Sequence, residues 1–488
     1  MEKITEDIMN FKELEKLVFT IMCEVGRELI AETLKRFDLR LLALRNTEKY
    51  RLVNFGTTTI KTLMGEVPYT RRYYKKQSGG YTFLLDEVLE IENGYGLVSE
   101  NLAERIIIEC LEKPFRKAAE SISSHTGQPI SGVGAWGVLQ QFGEKLKKQK
   151  ERLEVLDREG VEEQLGGIST RVLFEELDDV WIPMQKEQRG KKGSPKVANA
   201  KKTGKKPIHV GTAYTGWEQT KDGKFRTLDK FAYAGFGASN EFTREFEMLL
   251  RQRYDMDGVE RRVMNGDGAD WIKSAAEESD SLLQLDPFHR SRAVLRAVSD
   301  KKDQRTVFDA INEKDVDKVL TAIGGLISKA ADEPTREKLK KLYGYFYNNK
   351  DTLLTWKERG IELPDSPPGV VYRNLGVQES TNCDLITQRM KHRKGSWSTS
   401  GGSNMAKILC FRNTIGLDTV LGMLPEPTGG ANQEDVLSSA KVPTFDGKGY
   451  DAAWLHADMP FEQAFKTHGR EAIRGMLRKR RLSDWAFL

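Results

Sequence analysis

The chain has 488 residues, a length typical of about three domains and sufficient to bury a sizeable hydrophobic core. Its composition, 39% hydrophobic and 31% charged with a net charge of +5, is that of a globular protein and excludes collagen-like and broadly disordered classes. Apolar runs are too short to span a membrane and the first residues lack the order of a secretory signal, so we expect a cytoplasmic protein with no membrane partner.

The first predicted region, residues 1–97, combines a long helix with a β-hairpin. Apolar residues recur at helical spacing between residues 11 and 45, which predicts an amphipathic helix that packs or oligomerises. Residues 51–76 alternate in polarity around a glycine, as the two strands of a hairpin do. The second strand carries Arg71 and Arg72 among tyrosines, so it lies either along a DNA backbone or on an ordinary exposed edge.

The second region, residues 98–165, is predicted to be helical. A turn near Gly127 and Pro129 divides residues 114–148 into two helices. This pattern fits either a helix-turn-helix that binds DNA or a common structural hairpin.

The third region, residues 166–289, changes to β-structure near Arg171. Helices are predicted from Ser239 and through Ile272 and Ala276, between strands rich in β-branched and aromatic residues. The predicted order is therefore β-β-β-α-β-α-β. The five strands are expected at residues 171–185, 208–217, 225–236, 261–270 and 282–288.

A basic loop, residues 186–206, separates the first two strands, and further basic clusters occur at residues 389–394 and 474–481. A lysine or arginine placed against a phosphate releases counterions, so three such clusters favour a nucleic-acid partner over three unrelated solvated surfaces. The DNA-binding lysines predicted in the loop are Lys191, Lys192, Lys201, Lys202, Lys205 and Lys206.

The rest of the chain is predicted to be a helical insertion at residues 290–360, a segment at 361–424 that returns to the third region, and a tail at 425–488. Residues 166–289 and 361–424 would then form one catalytic domain.

Three carboxylates have the spacing of a ribonuclease-H-like metal site. Asp178 lies in the first strand, Asp267 ends the fourth strand, and Glu379 opens a late helix. Two Mg²⁺ or Mn²⁺ ions about 3.5–4 Å apart catalyse in-line displacement at phosphodiesters, and these ions prefer carboxylate oxygens. The adjacent Glu175 and Glu176 leave the choice of the first ligand open.

We therefore predict an α/β fold. It consists of a ribonuclease-H-like catalytic domain with the helical insertion between the second aspartate and the glutamate. A mainly helical DNA-binding region containing the β-hairpin precedes it.

Several separated segments resemble the ISLre family of bacterial insertion-sequence transposases, a group also catalogued as an uncharacterised protein family. They include VLFEELDDVWIPMQ, NGDGADWIK and GVQESTNCDLITQRMKHRKGSWSTSGGSNMAKI, and the resemblance covers most of the chain. It implies a DDE transposase in which Asp178, Asp267 and Glu379 bind two Mg²⁺ or Mn²⁺ ions. Its partners would be the terminal inverted repeats of the element and target DNA, on which it would act as a homo-oligomer associated with the nucleoid.

Other residues of the site follow from the same resemblance and from their position. The segment from Asp286 to His289 resembles the Asp/Cys-x-x-His element of Mutator-like transposases, so His289 is expected to position phosphate or substrate, or else to cap a strand end. Trp397 and Trp181 are candidates for stacking on an unpaired base, and core packing is the favoured role for Trp181 because an inward strand position explains it. Phosphate or substrate positioning is also predicted for Arg389, Arg393 and Lys394.

Two other functions fit the sequence. One is a domesticated metal-dependent nuclease that cuts DNA but never joins it. The other is a non-catalytic DNA-binding regulator built on the helical hairpin at residues 114–148.

Overall fold

A computed structural model describes most of the chain, which divides into two compact units. The described residues of the first unit lie within 1–110 and 115–138, and those of the second within 111–114 and 139–425. The described residues are 10–89, 91, 98–158, 167–185, 204–392 and 395–415.

The first unit begins with helix α1 (Phe11–Leu44), where the Asn10 side chain accepts a hydrogen bond from the Glu13 N–H at 3.2 Å. The predicted long helix is confirmed. Its apolar residues are only partly covered, because Leu17, Val18 and Leu29 are exposed. The elements that follow are β1 (Tyr50–Thr62), β2 (Gly65–Lys76), β3 (Tyr81–Phe83), α2 (Leu84–Val88), α3 (Glu100–Glu112), α4 (Phe115–His125) and α5 (Gly132–Arg158).

The predicted β-hairpin is also confirmed. Strands β1 and β2 pair antiparallel, and β3 adds to β2 to complete a three-stranded sheet. Gly65 opens β2 with φ 121°, a conformation that residues with a side chain rarely adopt. One face of the sheet packs on α1 and α2 through Tyr50, Val67, Tyr74 and Leu84.

Residues 98–158 form three helices, and the two expected within residues 114–148 are present as α4 and α5 on either side of Gly127 and Pro129. Ala118 and Ile122 are buried, as their spacing predicts. A Cβ added at Gly132 would lie 3.2 Å from the Arg116 Cα, so α4 and α5 approach closely at the start of α5.

The second unit is built on a five-stranded mixed sheet. Strand β4 lies at its centre and is antiparallel to β5, which is antiparallel to β8; on its other side β4 is parallel to β9, which is parallel to β10. The elements are β4 (Val172–Pro183), β5 (Lys205–Tyr214), β6 (Gly216–Gln219), β7 (Phe225–Leu228), β8 (Phe231–Gly235), α6 (Ser239–Arg253), β9 (Arg261–Gly266), α7 (Asp270–Glu278) and β10 (Leu282–Leu285).

The sheet confirms the predicted order of three strands, a helix, a strand, a helix and a strand. Two expected strands are each split. Residues 208–217 divide between β5 and β6, because β5 ends at Tyr214 and Gly216, with φ 144°, opens β6. Residues 225–236 divide at Asp229, which has φ 51° and turns the chain. As a result, β7 pairs with β6 in a separate two-stranded ribbon and only β8 joins the main sheet. Helix α6 begins at Ser239, but the residue before it, Ala238, takes the cap position without a side-chain hydrogen bond.

Strand β4 is covered on both faces and is buried along most of its length, although four of its twelve residues are acidic. Leu173 and Leu177 pack on one face with Phe246 of α6. Phe174 packs on the opposite face with Trp217 and with other residues that include Trp356 and Leu375 from later in the chain.

A helical segment follows β10, as predicted for the insertion. Asp300, Asp315 and Asp332 each accept a backbone N–H at the start of a helix, which satisfies donors that a helix leaves free. The helices share a core that includes Val307, Phe346 and their neighbours. The remaining elements are α8 (Pro287–Ala297), α9 (Lys301–Asn312), α10 (Val316–Lys329), α11 (Glu333–Asn348), α12 (Gln378–Asn382), a π-helix (Cys383–Lys391) and α13 (Thr399–Ile415).

A buried ion pair fixes the register between the two central parallel strands. Arg262 of β9 donates two hydrogen bonds to Glu175 of β4, at 2.6 and 2.9 Å, and two more to Glu247 of α6. Glu175 is fully buried, and its burial raises the pKa of its carboxyl group even though Arg262 opposes the rise.

We expect Arg262→Met to lower the free energy of unfolding by about 3–5 kcal/mol, because it leaves the buried Glu175 charge without a partner. Urea denaturation followed by circular dichroism measures this change. The matched control is Arg171→Met, which removes an exposed pair with Glu260 and should change stability little. An unchanged urea midpoint in Arg262→Met would contradict the assignment.

Candidate active site

Two aspartates come together at one edge of the sheet. Asp178 lies on β4 just beyond the last residue paired with β9, and Asp267 directly follows β9. Because β4 and β9 are parallel, their carboxyl ends point the same way. The Ala269 N–H donates to one Asp267 oxygen at 2.9 Å. Burial raises the pKa of the Asp267 carboxyl group, and the negative charge of Asp178 raises it further.

His289 lies near Asp178 and Asp286. Its Nε2 atom is 3.8 Å from an Asp178 oxygen and 4.0 Å from an oxygen of Asp286. The Asp178 carboxylate raises the pKa of His289, which favours an imidazolium ion in this position. Asp286 caps α8 by accepting the Phe288 N–H at 2.9 Å, and His289 lies in the first turn of that helix. Burial raises the pKa of Asp286 to about 6.

The late helix α12 contacts Asp178 through an amide. Asn382 Nδ2 donates to Asp178 Oδ2 at 2.7 Å, and Gln378 Nε2 donates to Asn382 Oδ1 at 2.9 Å. Both amides are buried. Asn382 therefore restricts the orientation of the Asp178 carboxylate.

Glu379 lies on the same helix turn but does not join the two aspartates. Its side chain is exposed, and no contact between it and Asp178 or Asp267 is present among the described residues. Within that same part of the chain, no group of three or more His, Cys, Asp or Glu side chains is arranged to hold a metal ion. The structure thus brings together two of the three predicted acids and places Glu379 one helical turn from Asn382.

Glu176 anchors the late helix to the sheet. Its buried carboxylate accepts hydrogen bonds from the backbone N–H groups of Gly376, Val377 and Gln378, at 3.0, 2.8 and 3.2 Å. It also accepts the Tyr214 hydroxyl at 2.6 Å and the Asn265 amide at 3.1 Å. Since Glu176 precedes Asp178 by two residues on one strand face, this anchor brings α12 to Asp178.

The contacts of the neighbouring acids on β4 indicate which of them is the first of the three predicted metal ligands. Glu176 is occupied by its five donors, and Glu175 is paired with Arg262 on the opposite face. Asp179 also lies on that opposite face, where its Oδ1 atom is 2.6 Å from His209 Nδ1. Among these neighbours, Asp178 is the acid that contacts His289 and Asn382.

Trp397 and Arg389 do not occupy the positions predicted for them. Trp397 is buried, its indole N–H donates to the Met390 carbonyl at 3.0 Å, and its backbone pairs with the end of β4. Arg389 is buried with its guanidinium 5.2 Å from the Trp397 ring. These contacts contradict the predicted roles in base stacking and phosphate binding, because both side chains lie inside the fold.

Trp181 was assigned to the core, and this assignment is also wrong. It is 52% exposed on the part of β4 that extends beyond β9. Alternation along the strand places it on the face of Asp179, opposite the face that carries Asp178.

The hairpin arginines are structural. Arg71 is buried in an ion pair with Asp86, and Arg72 forms an ion pair with the buried Asp38. This contradicts the prediction that the two guanidinium groups are available to a DNA backbone.

Of the predicted basic loop, the structure describes the last residues. Lys205 and Lys206 are exposed at the start of β5, opposite Pro183 and Ile182 of β4. Outside the described residues lie Lys191, Lys192, Lys201, Lys202, Arg393, Lys394 and the tail at 425–488.

Sequence reasoning missed the polar residues that hold the site. Asn382 and Gln378 are four residues apart, a spacing that places two amides on one helix face. Asn265 is a polar residue within a short buried strand, and such a residue needs a partner. Both patterns are visible in the sequence, but neither indicates which acid each amide contacts.

Comparison with known proteins gives the family. Residues 4–420 match the uncharacterised protein family UPF0236. The chain belongs to this family. A UPF0236 protein of Caldanaerobacter subterraneus subsp. tengcongensis is 25% identical over 424 residues, covering 85% of this chain and 80% of the relative. The UPF0236 protein in the vanSb 3′ region of Streptococcus gallolyticus is 23% identical over 469 residues, covering 90% and 95%.

Solved structures give weak likenesses. The Mos1 strand transfer complex and a pre-cleavage Mos1 transpososome each match 52% of this chain, at 10% identity and a TM-score of 0.12, and cover 78% and 79% of their own chains. A TM-score this low carries no argument. In the described part of this UPF0236 protein, none of the helices has the length and apolar composition needed to cross a membrane.

For this UPF0236 protein we expect Glu176→Gln to lower the free energy of unfolding by about 1–3 kcal/mol, because an amide cannot accept from all five donors and leaves a buried group unpaired. Amide hydrogen exchange should become faster at Gly376, Val377 and Gln378. Exchange measured by mass spectrometry, together with urea denaturation, checks both effects.

The matched control for this experiment is Glu362→Gln at an exposed position, which should change neither quantity. Unchanged exchange at residues 376–378 in Glu176→Gln would show that Glu176 does not anchor the late helix.

Proposed function

We propose that this chain is a DDE-type transposase that cleaves and joins the ends of an insertion sequence in a reaction dependent on divalent metal ions. The observation that carries the proposal is the meeting of Asp178 and Asp267 at the carboxyl ends of adjacent parallel strands. Numbered along the chain, the sheet strands lie in the order 3-2-1-4-5, with the first three antiparallel and the last two parallel to the first. This arrangement supports a ribonuclease-H-like catalytic domain.

The donor chemistry of the site fits Mg²⁺ or Mn²⁺. Asp178 and Asp267 supply hard carboxylate oxygens. Burial and the neighbouring Asp178 charge both raise the pKa of Asp267, and a bound cation would offset both effects. Glu379, exposed on the adjacent helix turn, is the candidate third ligand. A pair of such ions would activate the attacking oxygen and stabilise the leaving oxygen at a phosphodiester.

The chain's own residues orient the acids. Asn382 holds one Asp178 oxygen, Gln378 holds Asn382, and Glu176 holds the start of their helix. His289, a candidate for positioning phosphate, contacts Asp178 from the other side at 3.8 Å. Preorganised ligands of this kind avoid reorganisation during the reaction.

DNA is the proposed substrate, comprising the terminal inverted repeats of the element and a target duplex, with the protein acting as a homo-oligomer. Lys205 and Lys206 are exposed at the start of β5, opposite the end of β4. They would bind backbone phosphates together with the rest of the basic loop. Cleavage without joining, as in a nuclease, would use the same residues.

A second function is favoured by the position of Glu379. Because this residue is apart from the two aspartates, the chain could be a DNA-binding regulator whose catalytic site is incomplete. Binding that weakens steeply with salt but needs no metal ion would support this alternative.

We expect Asp267→Asn to reduce nicking and joining of end-containing DNA by about a thousandfold or more, since the loss of a metal ligand removes several kcal/mol of transition-state stabilisation. DNA binding should remain. A gel assay with Mg²⁺ or Mn²⁺ and a mobility-shift assay measure the two properties.

The control for Asp267→Asn is Asp270→Asn, an exposed residue in the first turn of α7. Activity retained in Asp267→Asn, or lost equally in Asp270→Asn, would refute the proposed active site.

Glu379→Gln tests the third ligand separately. If Glu379 completes the site, this substitution should lower cleavage about as strongly as Asp267→Asn, because both remove a charged ligand. Asp384→Asn, at an exposed position of the following π-helix, is the control and should stay active. Wild-type cleavage rates in Glu379→Gln would remove Glu379 from the site.

A further inference from the structure

The helical insertion reaches the turn that carries Asp267. The Tyr345 hydroxyl, near the end of α11, donates a hydrogen bond to the backbone carbonyl of Asp267 at 2.6 Å. The sequence gives no indication of this contact, because 78 residues separate the two partners.

Asn349 contacts the same turn from the next turn of the chain. It is 4% exposed, and a Cβ added at Gly268 would lie 2.8 Å from its Oδ1 atom. Asn349 Nδ2 donates to the Tyr345 carbonyl at 2.8 Å, so the two residues are held together. Tyr345 thus contacts the backbone of Asp267, and Asn349 contacts the backbone of Gly268. We call this pair of residues the clamp.

The turn needs such a clamp. Asp267 lies between Gly266 and Gly268, and glycines restrict the backbone least. Gly268 has φ 89°, a conformation that other residues rarely adopt. Within the turn, the Ala269 N–H holds one oxygen of the Asp267 carboxylate. Contacts from outside the turn are needed to restrict the backbone that carries it.

The clamp is itself fixed in place. Phe346, next to Tyr345, is fully buried in the core of the insertion. Lys273 of α7 donates to the Asn348 carbonyl at 3.2 Å. Beyond the clamp, Arg290 pairs with Glu358 through two hydrogen bonds at 2.9 and 3.0 Å. Movement of the insertion would therefore be transmitted to the Asp267 turn.

We propose that Tyr345 and Asn349 are positioning residues that orient Asp267 for binding a divalent cation. The proposal rests on the proposed function, in which Asp267 is a metal ligand. It assigns the helical insertion a role in assembling the active site, beyond that of a separate helical domain.

The test is a titration of the full chain with Mn²⁺ alone, followed by electron paramagnetic resonance. Tyr345→Phe removes only the hydroxyl group, so we expect a dissociation constant for Mn²⁺ about fivefold to tenfold higher, the effect of one lost hydrogen bond. The urea midpoint should stay at the wild-type value, which separates positioning from general stability. Asn349→Ala should raise the dissociation constant as well.

The control is Tyr347→Phe, which alters a 51% exposed tyrosine on the same helix and should leave Mn²⁺ affinity unchanged. Equal affinities in Tyr345→Phe and wild type, or equal losses in Tyr345→Phe and Tyr347→Phe, would overturn the positioning role. Wild-type chain that binds Mn²⁺ no better than Asp267→Asn would instead overturn the proposed function on which it rests.

Discussion

The buried carboxylate of Glu176 is the interaction on which the second unit depends. A buried charge is costly unless its hydrogen-bonding capacity is filled, and Glu176 accepts from five donors. Three of the donors are backbone N–H groups about 200 residues later in the chain. Glu176 therefore links the central strand to the late helix. Their union brings Asn382 against Asp178 and places Glu379 at the edge of the same site.

The polar contacts continue across the sheet. Asn265 donates to Glu176 and accepts from Gln284 of the neighbouring strand, at 3.1 Å in each case. The Gln284 side-chain oxygen in turn accepts the backbone N–H of Trp356 at 3.0 Å. This hydrogen bond connects the end of the helical insertion to the sheet. A connected buried network of this kind is stable when its members are satisfied and gives the core one specific arrangement. The insertion, the sheet and the late helix are thus parts of one polar core beside the two aspartates.

Local pattern was sufficient to predict the order of the elements. The hairpin, the long first helix and the strand sequence of the second unit follow from periodicity and turn residues, and all are present. The roles of Glu175, Glu176 and Asp178 could not be assigned in this way, because their partners lie 38 to 204 residues away. Trp397 and Trp181 were misassigned for the same reason: Trp397 is buried by pairing with the end of β4, and β4 extends beyond β9 where Trp181 lies.

The distance between Glu176 and its backbone donors also constrains synthesis of the chain. At the usual rate of about 5–20 residues per second, the ribosome needs roughly 10–40 seconds to add the ~200 residues that separate them. During that interval the nascent strand carries a carboxylate whose native donors do not yet exist. The sheet therefore cannot form its complete set of native hydrogen bonds until residue 378 has been made.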